Sequence, residues 1–357
     1  TAVGVSDNSE LTFIDAAQLL YNGMKMHSVL AVGDKAEVED STLFEAYRKV
    51  HIGTGRLESY IGGSINDRAV DNSDEVYINS IKFTADSDID TETFFGNTVE
   101  VTYIKTSEND KRIIYLENAE STSDILEISS DETDSFDTAA YRIIYSKDAD
   151  KKTKRNADLS KGAVIVYNGE VSEKRLSEII KDFTDGNRYG SIKLIKTAGG
   201  GYDLCIVKSY ENFVISTVNT DENVYYGKAY SMTELRLNDY ERVNVFDSSG
   251  NSVSFPTAKD SLVAIAASEN KAYIEAVSCL NTVSGKVSVA KTNENKVTID
   301  NVEYELANQC ASENKVDSLL NITIKATLDL NGKIAVIIHQ PTDDYKFAYL
   351  AKAVAKY

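Results

Sequence analysis

At 357 residues, with 56 acidic against 38 basic side chains, the chain carries a formal charge of -18. That charge repels nucleic-acid phosphates and anionic lipid, so no nucleic-acid partner is expected, and no apolar run reaches the roughly 20 residues of a membrane-spanning helix, so no membrane insertion is expected either. Tyr is abundant at 21, Trp is absent and Pro is only 2, a balance that favours pleated strands and argues against Pro-rich stalks.

The chain opens on Thr1 without an initiator Met, so a processed or trimmed N-terminus is expected. Leu11–Met26 has the spacing of a helix, with Thr12 as its cap, Asp15 in its first turn and Ala16, Leu19, Leu20, Gly23 and Met24 on one face. Ala17, Leu19, Leu20, Tyr21 and Asn22 resemble the closing helix of an S-layer homology repeat. The rest of that repeat, with its wall-binding loop, is missing, so wall anchoring is carried onto no residue here. The alternative is an ordinary amphipathic helix that plugs a β-domain.

Val29–His51 reads as a connector, helical around Thr42–Arg48. Strands follow at Arg56–Ile61, Val76–Phe83, Val99–Lys105 and Ile113–Leu116, where apolar residues alternate as in half-buried strands. A second set runs through Ile125–Ser129, Ala140–Tyr145, Ala163–Tyr167, Ser191–Lys196 and Tyr202–Lys208, with a helix at Ser172–Phe183 capped by Ser172. The third set is Phe213–Val218, Val224–Tyr226, Glu241–Phe246, Leu262–Ala267 and Ala272–Val277, with a turn at Asp247–Gly250. The fourth is a strand at Gly285–Ala290, a hairpin at Val297–Leu306 and paired strands around Leu328–Asn331–Gly332.

A closing pair of the same pattern recurs at Val99–Leu116, Ile192–Val207, Val243–Ile265 and Ile322–Val336, a spacing that suggests repeated small β-modules. The fold expected is therefore mainly β with minor α (α+β): tandem small β-barrel or sandwich modules with an N-terminal helix and one inserted helix. The boundaries drawn are residues 1–54 for the helix and connector, 55–118, 119–211 (holding the helix at 172–183), 212–278 and 279–339 for four modules, and 340–357 for a tail.

Chemical signatures are sparse. His27, His51 and His339 stand in no metal-binding spacing, and no phosphate loop, dinucleotide fingerprint or nucleophile elbow occurs. Gly199–Asp203 (GGGYD) reads as a hairpin turn, and Lys147–Arg155 as a basic hairpin tip that either faces solvent or binds a partner. Cys205, Cys279 and Cys310 imply no disulfide framework, with a Cys279–Cys310 bridge as one option. Asp86, Asp88, Asp90 and Glu92 alternate as in a calcium loop but lack its central Gly, which makes them a weak calcium candidate beside the reading as a solvated acidic loop. No other cofactor is expected. Tyr225, Tyr226 and Tyr230 are candidates for stacking on sugar rings.

Ala163–Gly169 (AVIVYNG), Ile192–Ser216, Arg242–Gly250 (RVNVFDSSG) and Val283–Ile338 resemble the β-rich region that follows S-layer homology repeats in large surface proteins of clostridia and related Firmicutes. The resemblance implies small repeated β-modules without catalytic activity. Relatives carry an acidic, calcium-like turn before the Tyr-Asp of GGGYD, whereas here Thr197–Gly201 holds no acidic side chain. The function implied is a non-enzymatic structural or display protein of an extracellular bacterial cell-surface layer, whose partners are further copies or other layer proteins. The alternatives are a bacteriophage virion component (capsid, tail or fibre) and a module that binds cell-wall polymer or carbohydrate.

Overall fold

Local signals set the first elements. In this computed structural model, which describes residues 13–32, 35–68, 70–107, 110–119, 125–148, 151–196, 200–229 and 231–339, the chain divides into two compact units. One comprises Thr1–Leu126 with Ile195–Thr197, the other Glu127–Leu194 with Ala198–Tyr357. The first unit begins with helix α1 (Phe13–Met24), hairpin β1 (His27–Val32) and β2 (Lys35–Thr42), and helix α2 (Leu43–Arg48). A reciprocal cap starts α2: Thr42 Oγ1 accepts from Glu45 N at 3.3 Å, and Glu45 Oε2 accepts from Thr42 N at 2.8 Å. Left-handed Lys49 (φ 55°) ends it.

Then come β3 (Val50–Tyr60), β4 (Gly63–Ser64), β5 (Glu75–Ile78), β6 (Ile81–Ala85), helix α3 (Thr91–Phe94), β7 (Thr98–Ser107) and β8 (Asp110–Asn118). Long strand β3 pairs with β7 over Val50–Arg56 and with β5 beyond Leu57. The sheet runs β3-β5-β6-β8-β7 and closes back on β3, with β6 and β8 parallel. Numbered within the barrel, this order is 1-2-3-5-4-1, with a helix between strands three and four: the arrangement of an OB-fold. Leu57, Val76, Phe83, Val99, Val101 and Ile113 fill it.

The second unit repeats this strand order three times, twice with a helix between strands three and four. β9 (Ile125–Ser129) and β10 (Thr133–Asp137) form an interrupted first strand. They are followed by β11 (Arg142–Tyr145), β12 (Arg155–Tyr167), short β13 (Glu170–Val171), helix α4 (Leu176–Thr184), β14 (Tyr189–Ile195) and β15 (Tyr202–Asn219). β10 pairs with β11, β11 with β12, and β12 runs parallel to the first half of β15; β14 joins β15 to β9. The order is again 1-2-3-5-4-1, with α4 between strands three and four.

The second half of β15 then opens a third barrel with β16 (Val224–Gly227), β17 (Glu234–Arg236), β18 (Arg242–Asp247), β19 (Leu262–Ala267) and β20 (Tyr273–Cys279). β15 pairs with β16 and β19, β16 with β17, β19 with β20, and β18 lies parallel to β20. The fourth barrel is β21 (Thr282–Lys291), β22 (Lys296–Ile299), β23 (Val302–Glu305), helix α5 (Asn308–Glu313), β24 (Thr323–Leu328) and β25 (Ile334–His339). β21 pairs with β22 and β24, and a parallel contact, Leu306 with Ile334, closes strand three onto strand five.

Alternation along β15 places its side chains in two different cores. Phe213 and Ile215 join Tyr225, Leu237, Phe255 and Ile274 inside the third barrel. Val214, on the other face, belongs with Tyr189, Leu262, Cys279 and the fourth barrel's Val287, Ile299 and Ile334. The three barrels of this unit therefore pack through shared apolar surface.

Several expectations change. The run Val76–Phe83 is a hairpin, because Asn79 and Ser80 both take positive φ (47° and 63°) and make the tight turn that fits a right-twisted ladder. Val29–Thr42 holds a hairpin where the sequence predicts only a partly helical connector. The boundary drawn between 211 and 212 falls inside β15, and β3 takes Val50–Thr54 from the connector. The third closing pair is β19–β20, not Val243–Ile265, because β18 lies on the far side of β20. Ser172 does not cap α4, which begins at Leu176 after Arg175; Ser172 Oγ instead accepts from Lys174 N and donates to Glu269.

On α1, the expected apolar face stays open, with Leu19 42% and Leu20 69% exposed. The helix is tied to its unit by Tyr21 and Lys25, which both bond Glu100 on β7, and by Tyr21 packing edge-on against Phe44. None of its described side chains, from Ala16 to Met24, is buried. The Thr12 cap and the 340–357 tail lie outside the described residues.

Candidate functional sites

OB-fold barrels generally take ligands on strands two and three and on the loops that join strands one to two and four to five. In the first barrel that face holds Tyr77, with the Arg68 guanidinium 5.0 Å from its ring. Beside it, Glu58 accepts from Ser80 N at 2.8 Å and from Asn66 Nδ2 at 3.1 Å. In the third barrel, Tyr225 and Tyr226 point to opposite faces of β16. Tyr225 is buried against Phe255 with ring centroids 4.5 Å apart, so it cannot stack on a sugar, while Tyr226 is 37% exposed. Tyr230 lies outside the described residues.

The acidic loop sits between β6 and α3. Asp86 is ion-paired with Arg112, and Asp90 accepts from Thr93 N at 3.0 Å as the cap of α3. An open groove of about 470 Å³ runs past Ser73, Asp74, Asp86 and Thr91. Among the described residues, no group of three or more His, Cys, Asp or Glu side chains is placed to hold a metal ion. Asp86 and Asp90 each serve a protein partner; Asp88 and Glu92 complete no such group with them.

The remaining candidates have structural surroundings. His51 stacks on Tyr103 at 5.4 Å and bonds Glu45 at 3.1 Å, and His27 meets the carbonyl of Glu39 at 2.9 Å; the side chain of His339 is not described. All three cysteines are buried free thiols, so Cys279 and Cys310 form no bridge. Burial pushes each thiol up to about 12, which keeps it protonated and unreactive. The basic segment 147–155 joins β11 to β12, where Lys147 pairs with Glu132 at 2.6 Å and Lys154 with Asp134.

The most developed polar site carries no local sequence signal. It lies in the second unit, where the four-to-five loop of the last barrel (Asp329–Lys333) meets β14 and β15. Asp329 Oδ1 accepts from Asn331 N at 3.0 Å and Lys333 N at 2.9 Å, a tight turn completed by Gly332 at φ 76°. Its Oδ2 accepts from Asn212 Nδ2 at 3.2 Å, and Asn212 Oδ1 in turn accepts from the Tyr189 hydroxyl at 2.7 Å. Ser130 Oγ accepts from Gly190 N at 3.2 Å and from Asn331 Nδ2 at 3.4 Å. Asp329, Asn212 and Tyr189 are each less than a tenth exposed. Burial drives the Asp329 carboxyl up, opposed by the bonds from Lys333 N and Asn212, and drives the Tyr189 phenol well above its ordinary value.

The cavity enclosed there is about 30 Å³, room for a water molecule or two. Its chemistry is that of a satisfied buried network joining three barrels, in which a loop position that other OB-folds use for ligands is occupied by the chain itself. No family model matches the chain. Nor does any curated protein or solved structure match it.

A second lock joins barrels two and three. Asn168, left-handed at φ 49° in the β12–β13 turn, donates from Nδ2 to the carbonyls of Ser209 at 3.2 Å and Ala267 at 2.9 Å. Its Oδ1 accepts from Ser209 N at 2.8 Å.

Proposed function

We propose that this chain is a non-enzymatic structural component of an extracellular assembly, a bacterial surface layer or, by the same physics, a virion, acting by self-association or through neighbouring structural proteins. The observation that carries this reading is the manner of joining. β15 is the last strand of one barrel and the first of the next without a break, and only Leu280 and Asn281 separate β20 from β21. Flexible linkers would let the barrels move independently to bind ligands. Within the second unit, the shared strand β15 and buried locks instead fix spacing, which is what a repeating layer needs from its subunits.

The acidic surface fits such a setting, since divalent cations outside the cell can bridge like-charged copies. The test is to image the purified protein with and without calcium, alongside protease shaving of intact producing cells. Ordered sheets, tubes or symmetric particles, with the protein accessible on the cell or virion, are expected. A protein that stays monomeric in both conditions and is found inside the cell would overturn the proposal.

A further inference from the structure

We infer that barrels one, three and four are built to carry tension along the chain, each loaded in shear when its two ends are pulled apart. In barrel one, β7 lies between the entry strand β3 and the exit strand β8, antiparallel to both. The entry residue Val50 pairs with Ile104 near the end of β7, and the exit residue Asn118 pairs with Val99 near its start. The same placement recurs in barrel three, where Glu211 faces Ile265 and Cys279 faces Leu262 across β19. It recurs again in barrel four, where Thr282 faces Thr327 and His339 faces Ile324 across β24.

Entry and exit strands are thus parallel to each other, flank one central strand, and leave from its opposite ends. Pulling on the two ends drives each outer strand lengthwise past the centre. The hydrogen bonds of such a ladder lie perpendicular to the strands, so a lengthwise load falls on all of them together and none yields alone. A load applied across one pair would peel them in sequence. Backbone bonds beyond the ladders add to the resistance: Val287 N donates to Ile322 O at 2.9 Å and Asn321 N to Val287 O at 2.9 Å in barrel four, and Ile215 N donates to Ser261 O at 3.0 Å in barrel three. Between barrels two and three the load passes through β15 itself.

Tension bearing deepens the structural reading but does not depend on where the protein resides. It is tested by single-molecule pulling on the full chain in two geometries. One holds the termini. The other uses handles on Ser284→Cys and Lys325→Cys, exposed residues directly opposed in the β21–β24 ladder, while the buried native thiols stay unlabelled. Terminal pulling should rupture barrel four, recognised by release of at least about 200 Å of chain, the length of residues 282–339 at roughly 3.4 Å per residue, at severalfold the force of the paired-site pull. Equal or lower force at the termini overturns the inference, and would do so even if the protein proved to sit in a surface layer.

Discussion

Asn212 is the residue on which most of the interbarrel network turns. It satisfies a buried phenol through one atom and a buried carboxylate through the other, so truncation removes a partner from two buried polar groups at once. Asn212→Ala should cost about 3 kcal/mol, since each orphaned buried group costs roughly 1–3 kcal/mol. Lys161→Ala, on the exposed face of β12, should stay within about 0.5 kcal/mol; urea midpoints that fail to separate the two variants would remove the network's importance. Gly190 is equally constrained: at φ 147°, a Cβ would stand 2.0 Å from the carbonyl oxygen of Lys208. Gly190→Ala should therefore lower the melting temperature markedly, whereas Gly162→Ala, with open space around it, should not.

In the first unit, Glu75 is only 5% exposed. Hydrogen bonds from Lys82 and Asn72 Nδ2 (the latter at 2.7 Å) and from Asp71 N at 3.1 Å lower its carboxyl from 4.5 to about 2. A depressed folded-state value means stability that is fully present above pH 4.5 and lost as pH falls toward 2, here on the order of 3 kcal/mol. Urea unfolding at pH 6 and pH 3 should show about 2 kcal/mol of that loss, and Glu75→Gln should flatten the acid dependence of the first unit; an unchanged acid limb in the variant would contradict the assignment.

At the scale of elements, alternation makes most strands legible, because a half-buried strand writes its burial into every second residue. Val99, Val101 and Tyr103 on β7 are an example. Continuity is less legible. The pattern predicts two strands where β15 is one, Tyr202–Lys208 and Phe213–Val218, since its middle, Ser209–Asn212, is polar. The first and last of them, Ser209 and Asn212, bond Asn168 and Asp329, so the break in hydrophobicity marks a junction between barrels instead of a turn. Likewise α4 is legible from Leu176, Ile179, Ile180 and Phe183, all buried, but its start is not, because Ser172 has a tertiary partner in Glu269. The α1 segment is legible as a helix, but its burial is not, since only the three-dimensional contacts reveal that Tyr21 and Lys25 carry its docking. Phe183→Ala should cost about 3–5 kcal/mol and Leu20→Ala almost nothing, as chemical denaturation can measure.

Across the whole molecule, repetition is visible in the sequence as spacing, while the closure of each barrel is not. Closure depends on pairings between residues far apart, such as Val164 with Leu204 or Leu306 with Ile334, for which no local signal exists. The polar site escapes for the same reason: Asp329–Lys333 reads as a turn, and nothing near it names Asn212 or Ser130. Closure, the shared strand β15 and the shared apolar surface together should make the three barrels of the second unit behave as one cooperative body, because opening any one of them exposes surface or leaves polar groups unpaired in another.

Native-state hydrogen exchange at increasing denaturant addresses this directly. Amides of β12, β15, β19 and β24 should exchange with one common opening free energy, and Asn212→Ala should lower all of them together. Exchange of β24 at a distinctly lower free energy, with β12 and the first half of β15 still protected, would mean that the barrels are merely strung in sequence.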